Sequence, residues 1–139
     1  MLTSSTRLVV CCVAAAVAAV TAAAVEQITP KQAAELLIEH KAILIDAREA
    51  SAWTKAQVAA PAILLSVHDF EAGLIGEWKP VLNAAEGKLV VIQCDDNTQC
   101  DKITGVIKAI GLESACGGSL QDWVKAGLAT RNCQDKPTI

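Results

Sequence analysis

The chain has 139 residues, enough for one domain, and its 53% hydrophobic content is raised by an alanine-rich first 25 positions. Twelve basic and 15 acidic residues give a net charge of −3, and no Lys/Arg cluster or basic stripe is present. Nucleic-acid binding is therefore not expected.

Arg7 precedes an apolar stretch from Leu8 to Val20, and Ala22-Ala23-Ala24 supplies a small-x-small cleavage pattern before Val25. This layout predicts a secretory signal peptide over residues 1–24, to be excluded from the fold. Leu8 to Val25 is 18 residues without a charge, the lower limit for a membrane span. Its alanine content and cleavage site fit removal instead, so no stable membrane association is expected afterwards. Lipidation at Cys11 or Cys12 is not expected either, because Leu8-Val9-Val10 lacks the small residue that normally precedes a lipidated cysteine. The expected location is outside the cytoplasm, periplasmic or secreted. Without Arg7 the remaining chain has 11 basic against 15 acidic residues and four cysteines, Cys94, Cys100, Cys116 and Cys133. An even count in an exported protein permits disulfides, in three fully paired arrangements.

Thr29-Pro30-Lys31-Gln32 predicts a helix start, with Thr29 as N-cap, Pro30 as first helical residue and Gln32 closing a capping box. That helix runs through Ala33, Leu36 and Leu37 to about His40. Ala42-Ile43-Leu44-Ile45 is a continuous apolar run ending at Asp46, as in a strand buried on both faces. A short helix over 50–56 and a second strand over 62–65 follow. Residues 68–82 read as one helix carrying Phe70, Leu74, Ile75 and Trp78, with Gly73 and Gly76 as weak points.

Leu89 to Ile92 is the third buried strand, and it ends in Gln93-Cys94. Thr98 and Asp101 form a further capping-box pattern, and the helix it predicts aligns Cys100, Ile103, Ile107 and Ile110 on one face, with Gly111 beyond its end. A strand over 113–116, a Gly117-Gly118 turn and a helix over 120–126 complete the pattern. Trp53, Trp78 and Trp123 are expected as core anchors. Alternating buried strands and helices predict an α/β fold, a parallel central sheet with helices on both faces. The expected domain spans 25–130, with a tail over 131–139.

Cys94 holds the chemistry. A thiol at a strand end before a helix start sits where backbone N–H groups and the helix dipole favour a thiolate. Asp95 and Asp96 in the same loop work against that anion, since neighbouring carboxylates raise a thiol pKa. For Cys100 the stripe predicts core packing, with a Cys94–Cys100 disulfide as the alternative. Cys116 is open to pairing with Cys94 or Cys133. His40 and His68 lack ligand spacing to the cysteines, so no metal or cofactor is expected.

Three segments together resemble the rhodanese (sulfurtransferase) homology domain. They are Asp46-Ala47-Arg48-Glu49 with Trp53 shortly after, the strand Leu89 to Gln93 delivering Cys94, and Gly117-Gly118 with Trp123 five residues beyond Gly118. Their order agrees across residues 27–129, and the resemblance implies a rhodanese-like single domain. It also implies that Cys94 is a nucleophile carrying a persulfide, with the amides of Asp95, Asp96, Asn97, Thr98 and Gln99 as an anion cradle. Asp46 and Arg48 fall at positions read as structural supports of the site. The implied partners are a sulfur donor and a thiol or protein acceptor. The family's usual loop is Cys-x-x-Gly-x-Arg-Ser, whereas this chain has Asn97, Gln99 and Cys100 at the last three defined positions. Gln57 replaces a histidine common in the family. Weak activity toward dianionic thiosulfate is therefore expected. Two other functions stay open: a thiol–disulfide redox module using Cys94 with Cys100 as its redox partner, and a rhodanese-like binding module without catalysis. A phosphatase of the Cys-x5-Arg type is disfavoured, because Cys100 stands at the arginine position.

Overall fold

Thr29 opens the first helix as its local chemistry dictates. In a computed structural model, which describes residues 27–139, the Thr29 side chain accepts from the Gln32 N–H at 3.1 Å while the Gln32 side chain accepts from the Thr29 N–H at 2.9 Å. Helix α1 (Pro30–Ile38) leads into strand β1 (Ala42–Asp46), helix α2 (Ala50–Lys55), the two-residue strands β2 (Val58–Ala59) and β3 (Ile63–Leu64), and helices α3 (Val67–Glu71) and α4 (Trp78–Ala84). Strand β4 (Leu89–Gln93), helix α5 (Asn97–Ala109), strand β5 (Glu113–Cys116), helix α6 (Leu120–Lys125) and strand β6 (Thr130–Arg131) follow.

The central sheet is all parallel in the order β3-β1-β4-β5. Its two faces bury different sets. Ile45, Val90 and Ile92 pack with Trp78, Leu82, Ile103 and Ile107 on one side, while Leu44 and Val91 pack with Ala33, Leu37 and Trp123 on the other. Alternate residues of each strand thus face opposite helical layers, which is why β1 and β4 read as unbroken apolar runs. The α/β architecture expected from the sequence is the one observed.

The chain leaves β1 for β3 on one side and returns to β4 on the other, so the strand order reverses between β1 and β4. In parallel α/β sheets this reversal opens a crevice at the carboxyl ends of the two strands. Asp46 and Gln93 are register partners at those ends, and both are fully buried. The loops beginning Ala47-Arg48 and Cys94-Asp95 leave the sheet side by side.

Four expectations are corrected. The single helix over 68–82 is two helices, α3 and α4, because the chain turns through Gly73, Leu74 and Gly76 with φ of 103°, 58° and 65°. Trp78 stays in the core, its Nε1–H donating to the Ser66 carbonyl at 2.8 Å and its ring meeting Phe70 edge-on at 5.1 Å. The N-cap of α5 is Asp96 rather than Thr98, since Asp96 Oδ1 accepts from the Thr98 N–H at 2.9 Å. Ile110 is 54% exposed, because it lies at the C-cap where the stripe has rotated off the sheet. Trp53 is only half-buried, on the short α2, and is not a core anchor like Trp78 and Trp123.

Strands β2 and β6 form an antiparallel pair that was not anticipated. Arg131 is buried there and donates to the carbonyls of Ala60, Ala62 and Asp135, while the Thr138 N–H donates to Ala60 O at 2.9 Å. The segment after β6 is therefore tied to the domain through Asp135 and Thr138, while most of its residues are exposed. The expected signal peptide over 1–24, with Cys11 and Cys12, lies outside the described residues.

Candidate active site

Cys94 is free and only 8% exposed, and it faces the same layer as Ile92. Its N–H donates to the Gly118 carbonyl at 3.3 Å, which ties the start of the loop to the Gly117-Gly118 turn after β5. A Cβ on Gly117 would come within 2.5 Å of Val91 Cγ1, so that turn can press against β4 only with glycine there. Sequence order thus becomes proximity: the turn and the cysteine loop form one wall.

The opposite wall comes from β1. Asp46 is fully buried, and Arg48 clamps it with Nε 3.0 Å from Oδ1 and Nη2 2.8 Å from Oδ2. The Arg48 N–H adds a bond to Oδ1 at 3.2 Å. This fork neutralises a buried carboxylate and fixes the start of the loop after β1. Arg48 also lines the cavity over Cys94, where its positive charge favours the thiolate.

That cavity measures about 290 Å³ and is bounded by Ala47, Arg48, Glu49, Ser51, Ala52, Lys55, Val67, Cys94, Asp95, Asp96 and Gln99. Ser51 and Lys55 were missed from the sequence. Their spacing of four on a short helix places them on one face, which was the available signal. Of the expected loop residues, Asp95, Asp96 and Gln99 reach the cavity, while Asn97 lines a different one and Thr98 is exposed. Gln99 Nε2 donates to Glu71 Oε1 at 3.4 Å. The cradle is also partly filled by the chain itself, because the Asp96 carboxylate already holds the Thr98 amide at the helix N-terminus.

Electrostatics follow from these neighbours. Burial, then the carboxylates of Asp46, Asp95 and Asp96, push the Cys94 thiol up to about 12, and Arg48 offsets only part of this. Cys94 is a protonated thiol at rest.

Cys100 is not joined to Cys94. It forms a disulfide with Cys116, with Cα atoms 6.0 Å apart. The parallel register explains the choice, since Cys116 lies opposite Ile92 and the Cys100 Sγ rests 3.7 Å from the Ile92 carbonyl. The role of Cys100 as redox partner of Cys94 in a two-cysteine couple is corrected accordingly. Cys133 is free and half-buried.

A larger cavity of about 650 Å³ lies beyond Glu49, against Trp53, Leu64, His68 and Asp69. It contains no cysteine, so size does not mark the chemistry here.

Comparison of the fold decides the class. A thiosulfate sulfurtransferase from Pseudomonas aeruginosa superposes with a TM-score of 0.64 at 17% identity, over 81% of this chain and 20% of that one. A rhodanese-related protein from Thermoplasma volcanium gives 0.60 at 16% identity, over 76% and 97%. The chain has the rhodanese-like fold. A polysulfide-sulfur transferase homodimer from Wolinella succinogenes gives 0.58 at 19% identity, over 79% and 80%. The chain spans a fifth of the length of the Pseudomonas aeruginosa enzyme but nearly all of the Thermoplasma volcanium rhodanese-related protein. No protein-family model and no curated protein sequence matches the chain.

Proposed function

We propose that this rhodanese-like domain is a sulfurtransferase that moves sulfane sulfur through a persulfide on Cys94. The observation that supports it is the free cysteine at the carboxyl end of β4, in its own cavity where the strand order of a rhodanese-like sheet reverses. The Sγ attacks the outer sulfur of a donor, the donor's S–S bond breaks, and an acceptor thiol later removes the sulfur by the same exchange in reverse.

The charges around the cavity, rather than the proton balance, select the donor. With a neutral persulfide R–S–SH, Cys94–SH becomes Cys94–S–SH as R–SH leaves, and no net proton is released. A dianionic donor must instead approach Asp95 and Asp96, with Arg48 paired to Asp46 and Lys55 the other cation bordering the cavity. Neutral or protein-bound persulfides are therefore the preferred substrates over thiosulfate. Export belongs to the same proposal, supported by a buried disulfide of the kind that persists in oxidising compartments.

Intact mass spectrometry tests the proposal. The protein treated with a low-molecular-weight persulfide should gain one sulfur that maps to Cys94, and Cys94→Ser should gain none. A Cys94→Ser protein with full sulfurtransferase activity would refute it. One observation favours a second function, a binding module without chemistry: burial and then three carboxylates hold the thiol protonated. It predicts no sulfur on Cys94 from any donor.

A further inference from the structure

Three of the four cysteines among the described residues, Cys94, Cys100 and Cys116, belong to one buried cluster, and two separate cavities open on it. Cys94 is reached through the cavity bounded by Arg48, Val67 and Asp96. Cys116 also borders a second cavity of about 400 Å³, together with Pro30, Asn97 and Lys125. The loop between Cys94 and α5 separates the two openings, Asp96 facing one and Asn97 the other. The disulfide lies close to the nucleophile: Cys100 Sγ is 3.7 Å from the carbonyl of Ile92, and Cys94 is two residues further along the same face. A disulfide needed only for stability requires neither an opening of its own nor a position beside the nucleophile.

We propose that the Cys100–Cys116 pair, in its dithiol form, is an internal acceptor that takes sulfane sulfur from Cys94 and releases it as hydrogen sulfide. The proposal rests on the persulfide function above. The Cys100 thiol attacks the outer sulfur of Cys94–S–SH, forming Cys100–S–SH and leaving Cys94–SH. The Cys116 thiol then attacks Cys100 Sγ, the bond to the outer sulfur breaks, the Cys100–Cys116 disulfide forms and hydrogen sulfide departs. Two electrons from the pair reduce the sulfane sulfur, and each proton stays on a product sulfur. A dithiol reductant of the thiol–disulfide oxidoreductase class, approaching from the Cys116 side, attacks Cys116 Sγ and frees Cys100. Its second thiol resolves the mixed disulfide and restores the pair.

The test uses the protein in two redox states, each given one equivalent of cysteine persulfide under anaerobic conditions. Hydrogen sulfide is measured alongside intact mass. Oxidised wild type should hold the added sulfur on Cys94. Wild type reduced and freed of reductant should release sulfide and regain the Cys100–Cys116 bond. Reduced Cys116→Ser should release sulfide about tenfold more slowly or worse, with the sulfur retained on the protein. Reduced wild type that keeps its persulfide as long as Cys116→Ser does would overturn the relay, as would reduced Cys94→Ser closing the disulfide at the wild-type rate. Oxidised wild type that takes up no sulfur at all would instead overturn the sulfurtransferase function itself. The oxidised and reduced wild-type proteins need no substitution, so the comparison stands even if a variant fails to fold.

Discussion

Cys94 shows how far neighbours govern a single thiol. The helix N-terminus beyond it supplies favourable amides, yet burial and three carboxylates outweigh them and hold the group up to about 12. Below that value the thiolate fraction rises tenfold for each pH unit, so alkylation by iodoacetamide should climb log-linearly from pH 7 to pH 10 without a plateau. A rate that levels off above about pH 9 would show an ordinary thiol. Replacing Asp95 and Asp96 together by Asn removes two of the charges that raise the pKa. The double variant should alkylate faster than wild type at every pH in that range, measured as the second-order rate constant. Across the cavity, Arg48 serves stability as much as chemistry. Its side chain is 8% exposed and its partner Asp46 is fully buried. Arg48→Ala leaves that carboxylate without its cation, at a cost of about 3–5 kcal/mol in urea unfolding. A loss under 1 kcal/mol would mean that water reaches Asp46.

Secondary-structure elements turn these residues into a site, and α5 does so through its first turn. Asp96 caps the helix and also stands in the loop whose amides would face a sulfur anion. The two roles separate by substitution. Asp96→Asn keeps a good cap and should change stability by a few tenths of a kcal/mol, while Asp96→Ala loses the cap and should cost about 1 kcal/mol by chemical denaturation. Equal losses in both variants would assign the cost to charge rather than to capping. The same elements show what the sequence made legible. The capping box at Thr29 and the ends of β1 and β4 follow from local patterns of cap residues and apolar runs, whereas a shared site for Asp46 and Cys94 was implied only by the family resemblance. The break at Gly73 to Gly76 was visible only as a weakness, because periodicity persists across it. Strands β2 and β6 have two residues each, too few to show an alternation. The capping residue of α5 was misplaced by two positions because Asp96 and Thr98 both suit a cap, and only loop geometry chooses between them. The Cys100–Cys116 bond was illegible in principle, since it depends on the register that sets Cys116 opposite Ile92.

At the scale of the whole molecule, charge reinforces what the loop imposes. The sequence beyond residue 24 has 11 basic against 15 acidic residues, and its cavity over Cys94 is bounded by Glu49, Asp95 and Asp96 against Arg48 and Lys55, with Arg48 already paired to Asp46. Both the distant field and the near one repel a dianion, while neither acts on a neutral persulfide. Salt separates the two cases because it screens exposed charges over a Debye length that falls from about 30 Å at 0.01 M to about 8 Å at 0.15 M. Raising ionic strength across that range should increase kcat/KM for thiosulfate several-fold and leave kcat/KM for a neutral persulfide unchanged within about twofold. Thiosulfate turnover that falls with salt would mean that an attractive field dominates at the cavity mouth, with Lys55 rather than the carboxylates facing the incoming donor. In that event Lys55→Gln should abolish the salt effect, and the acidic loop would be a positioning device for α5 rather than a filter on substrate charge.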